Sequence, residues 1–192
     1  MVDLEGEIEY FFMSTFTKVG LIVLAVFILS SCASSYQSTI VGGDYDKNKN
    51  ITIYFVLPLG SVELPGEWTK KNYLASSHQQ YFLNKDSTLI SIAFLSADKF
   101  SFYKPELKGF ELIDAYYKWE SEYFKEAFKY EIEKLEENKD KQYIIWRVFS
   151  DNSDNVFFFG NKNEIVNSYS IQVTKMSKTE SVDFLKKLFV KE

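Results

Sequence analysis

Side chains able to do covalent or metal chemistry are few in this chain of 192 residues, which has one histidine, His78, and one cysteine, Cys32. Zinc sites of the usual kinds need three or four His, Cys or carboxylate ligands drawn mainly from the first two types, and that supply is missing. A serine nucleophile needs a base and an oxyanion donor. No G-x-S-x-G occurs, and any triad would have to use His78, which sits in the polar stretch SSHQQ and reads as a surface residue. No G-x-G-x-x-G or G-K-[ST] phosphate loop is present either. No metal and no cofactor is therefore expected, and the balance leans away from an enzyme.

Carboxylates are plentiful: Glu63, Glu67, Glu120, Glu122, Glu131, Glu133, Glu136 and Glu137. A glycosidase-type site needs only two of them facing across a cleft. Glu131 and Glu133 alternate with Tyr130 and Ile132, which is the pattern of a strand with one solvated face. Aromatic side chains, 18% of the chain, offer binding surfaces as well as core. Trp119 and Trp146 are expected in the core, because helices covering a sheet bury such rings. Trp68, beside Pro65-Gly66 in an expected loop, is the speculative binding residue.

Cys32 ends the stretch Leu29-Ser30-Ser31-Cys32, behind eleven uncharged residues from Val19 to Leu29 that follow Lys18. As a helix that run spans roughly 16 Å, short of the bilayer core of about 30 Å, and the charged, apolar, small-residue order is that of a secretory signal. Leu29-Ser30-Ser31-Cys32 resembles the lipobox of bacterial lipoproteins. The resemblance implies cleavage before Cys32, acylation of that cysteine and attachment to a membrane through its lipid. Two or three acyl chains anchor far more firmly than one. Residues 1–31 are then a lipoprotein signal peptide. Because Asp3, Glu5, Glu7 and Glu9 precede a second methionine, Met13, residues 1–12 read as a start-site error.

Loss of residues 1–31 takes four acids and one base with it and moves the net charge from −5 to −2. A near-neutral chain without a basic stripe lacks the electrostatic footprint of a nucleic-acid binder. Residues 32–50, polar and carrying Gly42-Gly43, are expected to be a flexible tether, and residues 51–192 a single globular domain.

Period and punctuation give that domain an α+β order. Ile51–Leu57 is a strand, and Pro58, Gly60, Pro65 and Gly66 mark a loop after it. Gln79–Asn84 and Thr88–Leu95 flank the turn KDS as a hairpin. Phe110, Ile113, Tyr117, Phe124 and Phe128, with Tyr116, Trp119, Tyr123 and Ala127 beside them, have helical spacing. Lys129–Glu136, Gln142–Phe149, Val156–Gly160 and Ile165–Thr174 follow as strands joined by turns too short for anything but an antiparallel meander. Ser177-Lys178-Thr179-Glu180 is a capping box opening a last helix. This order, with Leu64-Pro65-Gly66-Glu67-Trp68 after the first strand, resembles the Mog1/PsbP-like fold. That resemblance implies a mostly antiparallel sheet with helices packed on both faces, an α/β/α sandwich, in a group made up chiefly of binding and assembly factors.

The sequence thus points to an envelope lipoprotein held to a membrane by lipid on Cys32, with Ala33 favouring the outer membrane, whose domain binds or helps assemble another envelope protein. The alternatives are an envelope hydrolase using paired carboxylates, or a carrier of a small lipid or apolar ligand.

Overall fold

The computed structural model describes residues 38–190; the lipobox with Cys32, the signal region and the first part of the tether lie outside them. A compact unit begins at Thr39. It is a mixed α+β structure with two antiparallel sheets and two helices.

The smaller sheet is built on β3 (Ile51–Leu57). β1 (Ile40–Gly42) and β2 (Tyr45–Asp46) pair with its two halves, and β4 (Gly60–Pro65) pairs along Ile51–Val56. The expected tether over residues 32–50 therefore stops short, since from Ile40 onward the chain is paired. Gly43, at φ +125°, makes the doubling-back between β1 and β2 workable: a Cβ there would lie 2.0 Å from the Ile53 carbonyl oxygen. The expected loop after Leu57 is likewise a strand. Pro65 and Gly66 mark only the corner between β4 and β5 (Trp68–Leu74), with Gly66 at φ +84°.

That corner explains Trp68. Buried Thr52 donates to the Gly66 carbonyl at 2.8 Å and accepts from the Trp68 backbone N–H at 2.9 Å, while the indole Nε1 donates to the Pro65 carbonyl at 2.9 Å. With its N–H satisfied the ring can leave water. It is 6% exposed and packs on Phe184, so the expectation of an exposed contact at Trp68 is corrected.

The larger sheet has seven strands in the order β5-β6-β7-β11-β10-β9-β8, all neighbours antiparallel. β6 (Gln79–Asn84) and β7 (Leu89–Ser96) form the expected hairpin, its turn held by Asn84 Oδ1 accepting from the N–H groups of Asp86 and Thr88. β8 (Glu131–Asn138), β9 (Tyr143–Ser150), β10 (Ser153–Lys162) and β11 (Ile165–Gln172) form the expected meander, which closes on β7 through the β11 register.

Helix α1 (Gly109–Phe128) and helix α2 (Lys178–Phe189) complete the unit. The capping box at α2 is present, with Ser177 Oγ accepting from the Glu180 N–H and the Glu180 carboxylate accepting from the Ser177 N–H. Two hydrophobic clusters share β10 by alternation. Phe157 and Phe159 belong with Leu112, Ile113 and Tyr116 of α1, whereas Phe158 belongs with Leu185, Leu188 and Phe189 of α2. At Gly160 a Cβ would meet the Phe189 ring at 2.6 Å, so glycine is what lets α2 approach β10 this closely.

Candidate functional site

Strand β7 outruns its neighbour. The β6 register ends with Gln80 opposite Ile92, but β7 continues to Ser96. A cleft of about 790 Å³ lies here, lined by Leu95 and Ser96, by Ser76, Ser77 and His78 before β6, by Val41, Tyr54 and Val56 of the smaller sheet, and by α1. Its size falls within the range of small-molecule sites.

Helix α1 supplies the chemistry. Tyr116, Trp119, Glu120 and Tyr123 all line the cleft; their i, i+3, i+4, i+7 spacing puts them on one helical face. Tyr116 is buried, stacked on Trp119 with centroids 6.0 Å apart and against Phe159 at 4.4 Å. Phe100 meets the Tyr116 ring at 4.7 Å and Trp119 at 6.0 Å. Trp119 itself is 42% exposed and Tyr123 53%. The expectation that Trp119 is core is therefore corrected: it stands at the rim of the cleft, whereas Trp146 is fully buried as expected.

Glu120 is the one carboxylate among the lining residues. Its Oε2 is shielded from solvent and has no hydrogen-bond partner. Burial raises its carboxyl from the ordinary 4.5 to about 7, and interaction with the Tyr116 hydroxyl offsets only part of that rise. Burial and the neighbouring Glu120 together push the Tyr116 phenol well up. His78 is exposed and its Nδ1 shares a hydrogen bond of 3.0 Å with the Tyr73 hydroxyl. Lys99, also lining the cleft, lies 3.7 Å from Asp98.

The other acids with shifted behaviour have structural partners. Glu133 takes Lys178 at 3.2 Å and Arg147 at 3.3 Å, which hold its carboxyl below the usual range. At Glu136 burial pushes upward, but hydrogen bonds from Tyr143 and Lys186 outweigh it and the carboxyl is held low. Because Lys178 and Lys186 belong to α2, these glutamates of β8 fasten helix to sheet edge. Arg147 is further held by Asp154 in a two-pronged contact of 2.7 and 2.8 Å.

Sequence reasoning passed over Glu120 because acids are common in the chain. The signal was its setting: an acid inside an aromatic stripe, with Tyr116 four before, Trp119 one before and Tyr123 three after. Among the described residues no cluster of three His, Cys, Asp or Glu side chains is arranged to hold a metal ion, and no helix is long and apolar enough to cross a membrane.

No family model matches the chain, and no curated protein matches it. Among solved structures it is similar to the solution structure of cyanobacterial PsbP (CyanoP) from Synechocystis sp. PCC 6803, at 12% identity and a TM-score of 0.39 over 83% of this chain and 92% of that one.

Proposed function

We propose that this domain is a non-catalytic binding module carried by a bacterial envelope lipoprotein, and that its occupant enters the cleft between α1, the end of β7 and the smaller sheet. The observation that carries this reading is the cleft itself: aromatic rings line it and the single carboxylate within it has no second acid to work with. That composition favours the carrier of a small lipid or apolar ligand among the readings open from sequence. Of the acids a carboxylate-pair hydrolase could use, Glu133 and Glu136 are engaged with cations of α2. Docking of another envelope protein is a second reading, favoured by the exposed rings of Trp119, Tyr123 and Phe128 along α1.

The anchor belongs to the same proposal. Lipid on Cys32 holds the protein to the membrane, with Ala33 favouring the outer one, and the stretch from Cys32 to Thr39 reaches at most about 25 Å. A cleft that Thr39 itself lines then works close to the bilayer. We further infer a Mog1/PsbP-like sandwich with α1 and α2 on opposite faces of the larger sheet, a reading supported by the division of Phe157 and Phe159 from Phe158.

Intact and native mass spectrometry of protein recovered from a lipoprotein-processing host, beside Cys32→Ala, tests the whole. Cleavage before Cys32, added acyl mass and a releasable small-molecule adduct are expected for wild type, with the acyl mass absent from the variant. An unprocessed, unlipidated wild type overturns the anchor; a processed protein without any adduct counts against the carrier.

A further inference from the structure

A buried carboxylate oxygen without a donor loses its hydration with nothing in return, and native structures seldom leave one unmatched without reason. Glu120 Oε2 is such an atom. The Tyr116 hydroxyl interacts with the same carboxyl but makes no hydrogen bond to Oε2; of the other donors lining the cleft, Lys99 lies 3.7 Å from Asp98 and His78 shares Nδ1 with Tyr73. The rings beside Glu120 are uncommitted in the same sense. Among the described residues, side-chain cations lie over Tyr54, Tyr117, Phe110, Phe149 and Phe189, not over Tyr116, Trp119 or Tyr123. An orphaned acceptor under electron-rich rings is complementary to a cation that carries its own N–H donors.

We propose that the cleft binds a primary alkylammonium group, which donates to Glu120 Oε2 and rests its charge against the exposed rings of Trp119 and Tyr123. This rests on the reading of the cleft as a ligand site and adds the class of ligand. A quaternary ammonium satisfies the rings but not the oxygen, because it has no N–H. Because Oε2 is screened from solvent, the ammonium meets it only after a small shift of the lining side chains, and its alkyl chain then runs out past Tyr54 and Val56. Burial raises the Glu120 carboxyl, and a bound cation draws it back toward its ordinary value. An amine free in solution and the ethanolammonium headgroup of a membrane lipid present the same chemistry.

The test is calorimetric titration of the full-length protein with n-butylammonium and with its neutral counterpart 1-butanol, repeated on Glu120→Gln and Tyr123→Leu. An ammonium preference of about tenfold or more is expected in wild type. It disappears in E120Q and shrinks about threefold in Y123L, at an exposed position where the fold is safe. Unchanged indole signals from Trp68 and Trp146 verify that E120Q is folded. Equal affinity for both probes, or a preference that survives E120Q, overturns the ammonium assignment while leaving the cleft a binding site. Failure of both probes to bind overturns the assignment as well, and a small-molecule adduct in the native mass spectrum then still distinguishes a sound carrier reading from a failed one. Nanodiscs containing phosphatidylethanolamine, compared with phosphatidylglycerol alone, separate the sources: perturbation of Trp119 only by the former marks the lipid, and by neither marks a free amine.

Discussion

The cluster around α2 and the cluster around α1 are built from similar residues and end in different states. Around α2 the rings are sealed: Phe82, Phe158 and Tyr169 are at most 1% exposed, Trp68 caps the corner against Phe184, and Lys178 and Lys186 tie the helix to β8. Around α1 the inner residues Leu112, Ile113 and Trp146 are equally buried, but Trp119, Tyr123 and Phe128 emerge into solvent and Glu120 Oε2 is left without a donor. One helix is fitted to its sheet along its whole length. The other is longer, 20 residues against 12, and its rim borders the gap where β7 outruns β6. Closure makes the first a structural element, and incomplete closure leaves the second the open face on which the proposed binding rests.

The sharpest way to break this contrast is by truncation inside the sealed cluster. Phe158→Ala should lower unfolding free energy by about 3–5 kcal/mol, measured by chemical denaturation, because its ring stacks on Tyr143 and Tyr169 and packs at a tilt on Phe189. A loss below 1 kcal/mol would erase the distinction between the clusters.

Next in size is a pH effect confined to the α1 side. Glu120 holds its proton in the fold up to about 7, against an ordinary 4.5. Below the lower value both folded and unfolded states are protonated and the group is neutral in the balance. As pH rises from there to about 7 the unfolded chain ionises first, so stability falls and remains reduced above, by about 1–3 kcal/mol. Glu120→Gln should abolish that slope in denaturation curves taken between pH 4 and 8. A wild-type slope retained in the variant would assign it to another group.

Smaller still, Ser177→Ala should cost about 1 kcal/mol by removing the N-cap of α2, seen in thermal or denaturant melts. Trp119→Ala should cost about 1 kcal/mol or less, despite removing a larger side chain, since the ring is rim rather than core. Reversal of these last two would place the structural weight on the wrong helix.

Much of this frame was legible in the chain. Helical spacing gave α1 to within one residue at its start, the KDS turn gave the β6-β7 hairpin, and the Ser177–Glu180 pair gave the cap, because each is a local signal. What failed was non-local. Residues 40–46 look like tether until β3 supplies partners for them, and Pro65-Gly66 reads as a loop because proline and glycine mark a corner and a loop alike. Trp68 and Trp119 exchanged their expected places for the same reason: a loop-like context hid the Thr52 and Pro65 acceptor set, and an apolar stripe hid the point where the sheet stops. Glu120 was visible as an acid among aromatics, but only the fold reveals that nothing donates to its Oε2.

The most direct test of the contrast uses the three tryptophans as reporters: Trp68 and Trp146 buried, Trp119 at the rim. Indole N–H spectra of the [15N]Trp-labelled full-length protein, taken before and after addition of an unfractionated envelope extract holding lipids and small amines together, follow all three at once. The account predicts that the Trp119 signal shifts while the other two stay in place. A shift at Trp68 or Trp146 with Trp119 unmoved, or no shift at any of the three, would contradict it.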